Sequence, residues 1–390
     1  MEKTLRVAVI GVGGMGSTHA AHIAANPKAR LVAVCDTNPQ RAREIAEKHG
    51  AKAYVDPREL LTREPLDAVT IATPHYDHPL ISMDAFAKGI HVLSEKPIAV
   101  TARRAREALA AYRAARVDHP GLRYAIMFQE RTQPAFAKLK ALLTGGILGR
   151  LTRATWIHTK WFRSQYYYDH GDWRASWKGE GGGVLLNQCP HTLDLYQWLV
   201  GRPRSVIGRV SLGKYHDIEV EDEATAFFEH EGGLVGHFHT TTAECPGTNR
   251  LEIAGELGKL VLEDGKIRHW KNAVSMLDHS KEVQDGFKLP ECAESEIPIP
   301  PESGSLKLHG KVIDAFFDGI TLGAPLIAEA EEGLASISMS NAILLSSFQG
   351  RTVSLDDVDG FDDKLQGLIE GSRWKKKVAA GNLDFQASWK

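Results

Sequence analysis

The sequence predicts an α/β protein in which an N-terminal parallel sheet is followed by a second α/β domain with an open, largely antiparallel sheet. Three observations predict this class. Strand-like and helix-like segments alternate up to about residue 128, longer strands follow residue 148, and 390 residues are enough for two or three domains. We expect domains at residues 1–128 and 129–356, followed by a C-terminal extension at 357–390.

The N-terminal segments alternate regularly between strand and helix. The expected strands are 5–10, 30–35, 52–55, 68–72, 91–93 and 124–128, and the expected helices are 19–25, 39–49, 57–62, 79–88 and 102–115. Strands joined by helices of this length pair in parallel through right-handed crossovers. This part of the chain is therefore expected to form one parallel sheet.

Beyond residue 148 the segments become longer strands in which apolar and polar residues alternate. This pattern suits an antiparallel sheet with one buried face. They are expected at 151–161, 206–212, 224–230, 234–242 and 250–254, with an Asp264-Gly265 hairpin turn between 259–262 and 267–270. Helices return at 307–321 and 328–349. We expect residues 285–305 to form a surface excursion of low order and residues 371–390 to form a solvated tail.

Composition argues against several classes of protein. Lys and Arg total 47 against 49 Asp and Glu, so the formal net charge of -2 attracts neither nucleic acid nor an anionic membrane. The four cysteines form no Cys-x-x-Cys pair, and we find no export signal and no membrane-length apolar run. A reduced, cytoplasmic protein is expected.

His237 and His239 occupy alternate positions of an expected strand and could be taken for metal ligands. No third ligand lies at a suitable spacing, so no metal site is expected.

A glycine-rich turn between the first strand and the first helix is the first candidate site. It reads Gly11-Val12-Gly13-Gly14-Met15-Gly16. The first glycine permits a tight turn, the second lets the backbone approach a pyrophosphate, and the third lets the helix pack against the strand. The helix N-terminus attracts the phosphates. The context predicts a dinucleotide-binding domain of the Rossmann type.

Asp36 is expected to select the coenzyme. It lies at the end of the second strand, twenty residues beyond Gly16, where a carboxylate accepts hydrogen bonds from an adenosine ribose. The same carboxylate repels the 2'-phosphate of NADP, so the sequence favours NAD. Arg41 is the counter-argument, because a nearby arginine can accommodate that phosphate.

Two further motifs lie where an open α/β sheet places its ligand, at the carboxyl ends of strands. One is Thr73-Pro74 with His78, and the other is Glu95-Lys96-Pro97. A partly desolvated lysine near a nicotinamide has a lowered pKa, so it can orient a hydroxyl or exchange its proton. The spacing of Lys96 in the sequence fits an ordinary surface lysine as well as it fits a catalytic one.

A triple glycine, Gly181-Gly182-Gly183, opens a helical segment that carries Asn187 and His191 at positions i and i+4, on one face. His191 can remove a hydroxyl proton, and Asn187 can hold the substrate or fix the imidazole. The alternative for His191 is a structural role in the helix. Asp194 fits either a partner of His191 or a capping or interface residue.

The stretch upstream of the triple glycine is rich in aromatic and polar residues. Its candidate ligand contacts are Arg163, Tyr166, Trp173 and Arg174. Aromatic faces flanked by hydrogen-bond donors suit a sugar ring, which has an apolar C–H face and a rim of hydroxyls. Many aromatic residues of this stretch are equally suited to the core or to a subunit contact.

These motifs, in this order and spacing, resemble the Gfo/Idh/MocA oxidoreductases, which include inositol and glucose dehydrogenases. The resemblance implies a Rossmann domain followed by an α/β domain whose open sheet often joins subunits, here in a homodimer or homotetramer. It also implies that Lys96 and His191 are the catalytic lysine and histidine. Trp173-Arg174 resembles a pair that lies near the nicotinamide in some members.

One position departs from the family pattern. Many relatives carry Asp where this chain has Asn187, and asparagine cannot relay a proton, so that duty would fall on His191 while Lys96 orients the hydroxyl. The Asn-Gln-Cys-Pro-His version resembles a branch that acts on pyranose sugars and glycosides.

Three functions are consistent with this sequence. The first is an NAD-dependent dehydrogenase of a secondary hydroxyl on a sugar, glycoside or cyclitol. The second is a glycosidase or epimerase that oxidises the ring transiently and returns the hydride to a retained NAD. The third is a sensor that binds NAD or sugar without catalysis.

Overall fold

The computed structural model describes residues 4–301 and 305–379. Its first sheet contains strands β1 Leu5–Ile10, β2 Ala29–Cys35, β3 Lys52–Tyr54, β4 Ala68–Ile71, β5 His91–Ser94 and β6 Tyr124–Ile126. The strand order is β3-β2-β1-β4-β5-β6, and every pair is parallel. The connecting helices are α1 Gly14–Ala25, α2 Pro39–His49, α3 Pro57–Arg63, α4 Asp77–Phe86 and α5 Ala102–Asp118. The predicted parallel sheet is confirmed.

The second sheet is mostly antiparallel, as predicted. Its strands are β7 Leu151–His158, β8 Ser205–Leu212, β9 Glu221–Glu229, β10 Val235–Thr241, β11 Asn249–Gly255, β12 Gly258–Glu263, β13 Lys266–Asn272, β14 Cys292–Ile297 and β15 Val353–Ser354. The order is β14-β13-β12-β11-β7-β10-β9-β8-β15, with β7 and β10 as its parallel pair. Asp264 and Gly265 both have positive φ in the hairpin turn, as Asp-Gly turns require.

Eight α-helices of the described residues lie in the C-terminal part of the chain. They are α6 Pro134–Thr144, α7 Gln165–Asp169, α8 Val184–Asn187, α9 Pro190–Val200, α10 Met276–Glu282, α11 Ser305–Thr321, α12 Ala330–Gln349 and α13 Gly360–Gly371. Helix α12 is largely buried and packs against α5, α9 and β8. No helix in residues 4–301 and 305–379 combines the length and apolar character needed to cross a membrane.

Helix α11 returns from the C-terminal part of the chain to the first sheet. Its buried Val312, Ile313, Phe316 and Phe317 form one apolar cluster with residues of β1, β2 and α1. The cluster includes Val7 of β1, which is fully buried. One face of the first sheet is therefore completed by residues far along the sequence.

Two predictions about surface segments, residues 285–305 and 371–390, are wrong in part. Residues 292–297, inside the predicted low-order excursion, form the edge strand β14, which pairs with β13 through main-chain hydrogen bonds that a side-chain pattern does not show. The tail residues 374–379 are docked: Trp374 and Lys377 donate to the Asp217 carboxylate at 3.1 and 2.7 Å, and the Ala379 N–H donates to the Asp169 carbonyl. The rest of the tail, residues 380–390, lies outside the described residues.

Candidate active site

The candidate residues of the first domain converge because β1, β4 and β5 are neighbours and parallel. The glycine turn follows β1, Thr73-Pro74 follows β4, and Glu95-Lys96 follows β5. The carboxyl ends of parallel strands lie at one edge of the sheet, so all three turns open into one crevice.

Close packing explains why two of the turn positions must be glycine. Gly11 has a φ of +84°, and a Cβ there would lie 2.6 Å from the Ala72 carbonyl oxygen. A Cβ on Gly16 would lie 1.7 Å from the Gly11 carbonyl oxygen. Gly13 precedes α1, and a Cβ there would meet nothing within 4 Å, so its surface is open to a ligand. Gly14 and Met15 are the first two residues of α1, with their N–H groups at its N-terminus.

The Asp36 carboxylate supports the glycine turn through hydrogen bonds to the main chain. It is buried and accepts hydrogen bonds from the Val12 N–H at 3.0 Å and the Asn38 N–H at 2.9 Å. The Arg41 guanidinium also donates to it, at 3.2 and 3.3 Å. The arginine that argued for NADP is thus paired with the carboxylate that argues for NAD.

His78 joins two of the turns. Its ring nitrogens lie 2.8 Å from the Thr73 carbonyl oxygen and 2.7 Å from the Pro97 carbonyl oxygen. This buried ring therefore holds the Thr73-Pro74 turn against the Lys96-Pro97 turn. The Thr73 hydroxyl is buried and has no hydrogen-bond partner among the described residues, so it is available to a bound group.

The Glu95 carboxylate is buried behind Lys96. Its Oε1 lies 3.0 Å from His19 Nε2 of α1. Burial alone disfavours its charge, but His19, His309 and Lys96 favour the charged form and lower the pKa of Glu95 to about 2. His19 was not singled out from the sequence; its position three residues after Gly16, on the buried side of α1, was the available signal.

Lys96 connects the first domain to the segment that carries Asn187 and His191. Its Nζ donates to the main-chain carbonyl of Asn187 at 2.8 Å. Lys96 is half-buried, and the loss of hydration lowers its pKa, an effect that Glu95 and Glu180 partly oppose. A lysine in this state can exchange a proton more readily than a solvated one.

His191 lies near the start of α9 and is only 8% exposed. Its Nε2 lies 3.2 Å from the amide nitrogen of Gln129, and its ring meets the Phe128 ring edge-on, 6.0 Å between centroids. Burial, and next the charge of Lys96, lowers the pKa of His191 well below the ordinary histidine value. The ring is therefore neutral near pH 7.

Asn187, the last residue of α8, is held by its side-chain amide. Its Nδ2 donates to the carboxylate of Glu180, and its Oδ1 lies 3.5 Å from the Tyr167 hydroxyl. Glu180 is buried, and burial raises its pKa. Sequence reasoning passed over Glu180, although its place directly before the triple glycine was a signal.

The aromatic stretch forms a stack beside these groups. The Arg174 guanidinium lies 4.4 Å from the Trp173 ring centroid and 5.0 Å from that of Tyr167, and Arg163 approaches Tyr167 at 5.2 Å. Trp173 also meets the buried ring of His75, 5.3 Å between centroids. His75 was another residue that the sequence analysis missed.

Tyr166 differs from its neighbours in the stack. Its side chain is 48% exposed and packs against His170, with 5.2 Å between ring centroids. Arg163 donates to the carbonyls of Trp161 and Phe162. Tyr166 is therefore the most open of the four candidate ligand contacts.

Asp194 pairs with an arginine of the preceding segment. Its carboxylate accepts two hydrogen bonds from the buried guanidinium of Arg131, at 2.7 and 2.6 Å. Arg131 also donates to Glu332 at 2.7 Å. This pair fixes α9, which carries His191, to the turn that carries Gln129.

Within the described ranges, no group of three or more His, Cys, Asp or Glu residues is arranged to hold a metal ion.

Known proteins resemble the chain over most of its length. Residues 5–118 match the model of an oxidoreductase family with an NAD-binding Rossmann fold, and residues 136–261 match the GFO/IDH/MocA C-terminal domain. The D-glucoside 3-dehydrogenase of Escherichia coli is 32% identical, over 90% of this chain and 97% of that protein. The chain belongs to the Gfo/Idh/MocA family of oxidoreductases.

Other Gfo/Idh/MocA-like proteins extend the comparison. The scyllo-inositol 2-dehydrogenase (NAD(+)) of Bacillus subtilis is 27% identical, over 75% of this chain and 85% of that protein. The WlbA dehydrogenase of Bordetella pertussis, solved with NADH and UDP-GlcNAcA, has a TM-score of 0.75 and 26% identity, and the match covers 90% of this chain and 99% of that one. The predicted family, fold class and NAD cofactor are confirmed.

The crevice of this Gfo/Idh/MocA protein fits NAD on its own geometry. The open Gly13 surface and the α1 N-terminus suit the pyrophosphate. Asp36 suits the adenosine ribose, and the unpartnered Thr73 hydroxyl lies in the turn after β4. Bound NAD supplies a hydride acceptor.

Proposed function

We propose that the chain is an NAD-dependent dehydrogenase that oxidises a secondary ring hydroxyl of a sugar, glycoside or cyclitol. The observation that carries the proposal is the 2.8 Å contact from Lys96 Nζ to the Asn187 carbonyl. It joins the turn after β5, at the cofactor crevice, to the segment that holds Asn187 and His191. Residues 1–128 would bind NAD, 129–356 the substrate, and 357–390 would extend that domain.

In this proposal Lys96 and His191 handle the proton of the substrate hydroxyl. Oxidation of an alcohol carbon releases a hydride and a proton, and the proton needs a base within hydrogen-bond reach. His191, which is neutral near pH 7, would accept it, while Lys96 would orient the hydroxyl oxygen. Asn187, Arg163, Tyr166 and Trp173 would hold the ring.

The substrate class is supported by two features. The stack of Tyr167, Trp173 and Arg174 gives an aromatic surface with cationic donors, which suits a ring that is apolar on its faces and hydroxylated at its rim. The relatives include proteins named as glucoside and inositol dehydrogenases. Both features favour a sugar or cyclitol over an extended acid or a nucleic acid.

We also propose a homodimer or homotetramer. On the second sheet, Ile207 of β8 pairs with Phe227 of β9, and these side chains are 49% and 52% exposed. Val235 of the next strand, β10, is also exposed, and it lies two residues before His237, the partner of Phe227. Apolar side chains grouped on an open sheet face suit a contact with a second copy of the chain.

A spectrophotometric screen for NADH tests the proposal. NAD and NADP are offered with inositols, aldohexoses, glucosides and levoglucosan, and we expect NAD reduction with one class of ring alcohol. Product formation without net NADH, by protein carrying one NAD per chain, would instead identify the redox-neutral glycosidase or epimerase. Tight ligand binding without isotope exchange between ligand and cofactor would identify a sensor.

Asp36→Ser is expected to shift coenzyme preference towards NADP by at least about tenfold, or ~1.4 kcal/mol. The change removes the charge that repels the 2'-phosphate and releases Arg41 to bind it. The ratio of kcat/KM for the two coenzymes measures the shift. The matched control is Asp36→Ser with Arg41→Ala, which should lose the gain for NADP. An unchanged ratio in Asp36→Ser would show that Asp36 is not the selector.

A further inference from the structure

We propose that Glu180 is a positioning residue that fixes the Asn187 amide, so that Asn187 offers its oxygen, a hydrogen-bond acceptor, to a substrate hydroxyl. The inference rests on the proposed function, because it assigns Asn187 to the same substrate site. It adds a residue outside the candidate set of Lys96, Asn187 and His191.

The two carboxylate oxygens of Glu180 have separate partners. Oε1 accepts a hydrogen bond from Nδ2 of Asn187, and Oε2 accepts one from the Ala175 N–H at 2.7 Å. The side chain is buried, with the whole residue 1% exposed. Because a carboxylate accepts hydrogen bonds and donates none, it holds both partners by their N–H groups.

Glu180 also links three segments that approach the crevice. Ala175, which it holds, has a φ of +67° and directly follows Trp173-Arg174. The Glu180 carbonyl oxygen lies 3.1 Å from Nδ1 of His75, in the turn after β4. A positive φ is unfavourable for alanine, so this turn needs a partner such as Glu180 to hold it.

The orientation of the Asn187 amide follows from these contacts. Its nitrogen is engaged by Glu180, so its oxygen must lie on the opposite side, where the Tyr167 hydroxyl is 3.5 Å away. Gln188 donates to that hydroxyl oxygen at 3.2 Å, which leaves the Tyr167 proton free to point towards Asn187. Asn187 is therefore oriented to receive hydrogen bonds.

The Glu180→Gln variant should reverse this orientation. An amide has one acceptor oxygen, and if it accepts from the Ala175 N–H, its NH2 group faces Asn187. Asn187 must then turn its oxygen towards the introduced amide and its NH2 towards the substrate. We expect kcat/KM to fall roughly 10- to 100-fold, the range for losing a hydrogen bond in a charged network.

Asn187→Asp places a second carboxylate against Glu180. Two facing carboxylates share a proton, which raises a pKa of the pair, so activity and stability should fall as pH rises from about 5 to 8. The double variant Glu180→Gln with Asn187→Asp restores one donor facing one acceptor. It should recover most of the lost kcat/KM and lose the steep pH dependence.

The experiment measures kcat, KM and their pH profiles for the wild-type protein, both single variants and the double variant. Glu291→Gln, an exposed Glu of the loop before β14, is the matched control and should change nothing. Wild-type values and pH profile in Glu180→Gln would overturn the proposal. The proposal would also be overturned if the loss of kcat/KM in the double variant equalled the combined losses of the two single variants.

A second measurement needs no substrate. Urea unfolding of the four proteins gives a double-mutant cycle for the 180–187 pair, and we expect the double variant to be more stable than additivity predicts. Additive effects on the free energy of unfolding would overturn the pairing. The pairing would also be overturned if one single variant cannot fold and the double variant cannot fold either. If the cycle shows coupling but no ring alcohol is oxidised, the dehydrogenase assignment is wrong and the pairing stands.

Discussion

Replacing Lys96 by alanine is expected to lower kcat by at least about 100-fold, the usual contribution of a group that orients or exchanges the reacting proton. The variant loses the ammonium that lies 2.8 Å from the Asn187 carbonyl, at the junction of the crevice with α8. It keeps the glycine turn and Asp36, so NADH binding measured by fluorescence should change little. The loss should therefore appear in kcat, with a smaller effect on coenzyme affinity.

Lys88→Ala is the matched control for Lys96→Ala, because Lys88 is exposed and lies outside the crevice. It should retain wild-type turnover. His191→Ala is expected to lose activity to a similar extent, since it removes the buried neutral imidazole that would accept the proton. Full turnover by both active-site variants on a proven substrate would show that the assigned roles are wrong.

Arg131→Met is expected to destabilise the protein by about 3–5 kcal/mol, because it leaves the Asp194 carboxylate buried without its cation. The pair is almost completely shielded from solvent, with side-chain exposures of 2% and 1%. Urea unfolding at pH 7 measures the loss. A double variant, Arg131→Met with Asp194→Leu, should recover much of it, because an apolar pair of similar volume removes the uncompensated charge.

The matched control for the buried pair is Arg104→Met on α5. Arg104 donates to Glu107 at 2.6 Å, but both side chains are exposed, so the expected cost is below about 1 kcal/mol. Equal destabilisation by the two Arg→Met changes would contradict the argument from burial. Because Asp194 is on α9 with His191, we also expect Arg131→Met to reduce activity at temperatures where it remains folded.

Much of the fold could be predicted because its signals are local. The first sheet consists of short apolar runs with helical segments between them, and Gly, Pro or Asp follows each of the first five strands within three residues. The edge strand β14 was missed because most of its residues are exposed, so no alternation of buried and exposed residues distinguishes it from loop. Its structure depends on main-chain pairing with β13, which the sequence does not display.

The candidate site was predictable to a similar extent. Lys96, Asn187 and His191 stand in recognisable motifs, and the structure brings the first two into contact. Two of the groups that hold this segment were missed because their partners are distant in sequence: Arg131 contacts Asp194 63 positions away, and Gln129 lies 62 positions before His191. Glu180 is only seven residues from Asn187 and was missed although it is close in sequence. An ordinary Gln or Arg gains its role only from such a distant partner.

Because α11 packs against the first sheet, residues 1–128 do not contain the whole apolar core of that sheet. A fragment ending at residue 128 would lack Phe316 and Phe317, and the apolar cluster around Val7 would be left open to water. Such a fragment should aggregate or bind a hydrophobic dye, although it contains the whole nucleotide motif. Expressing residues 305–321 as a separate peptide or fusing them behind residue 128 should restore its solubility. We therefore expect residues 1–128 and α11 to unfold together, in one cooperative transition.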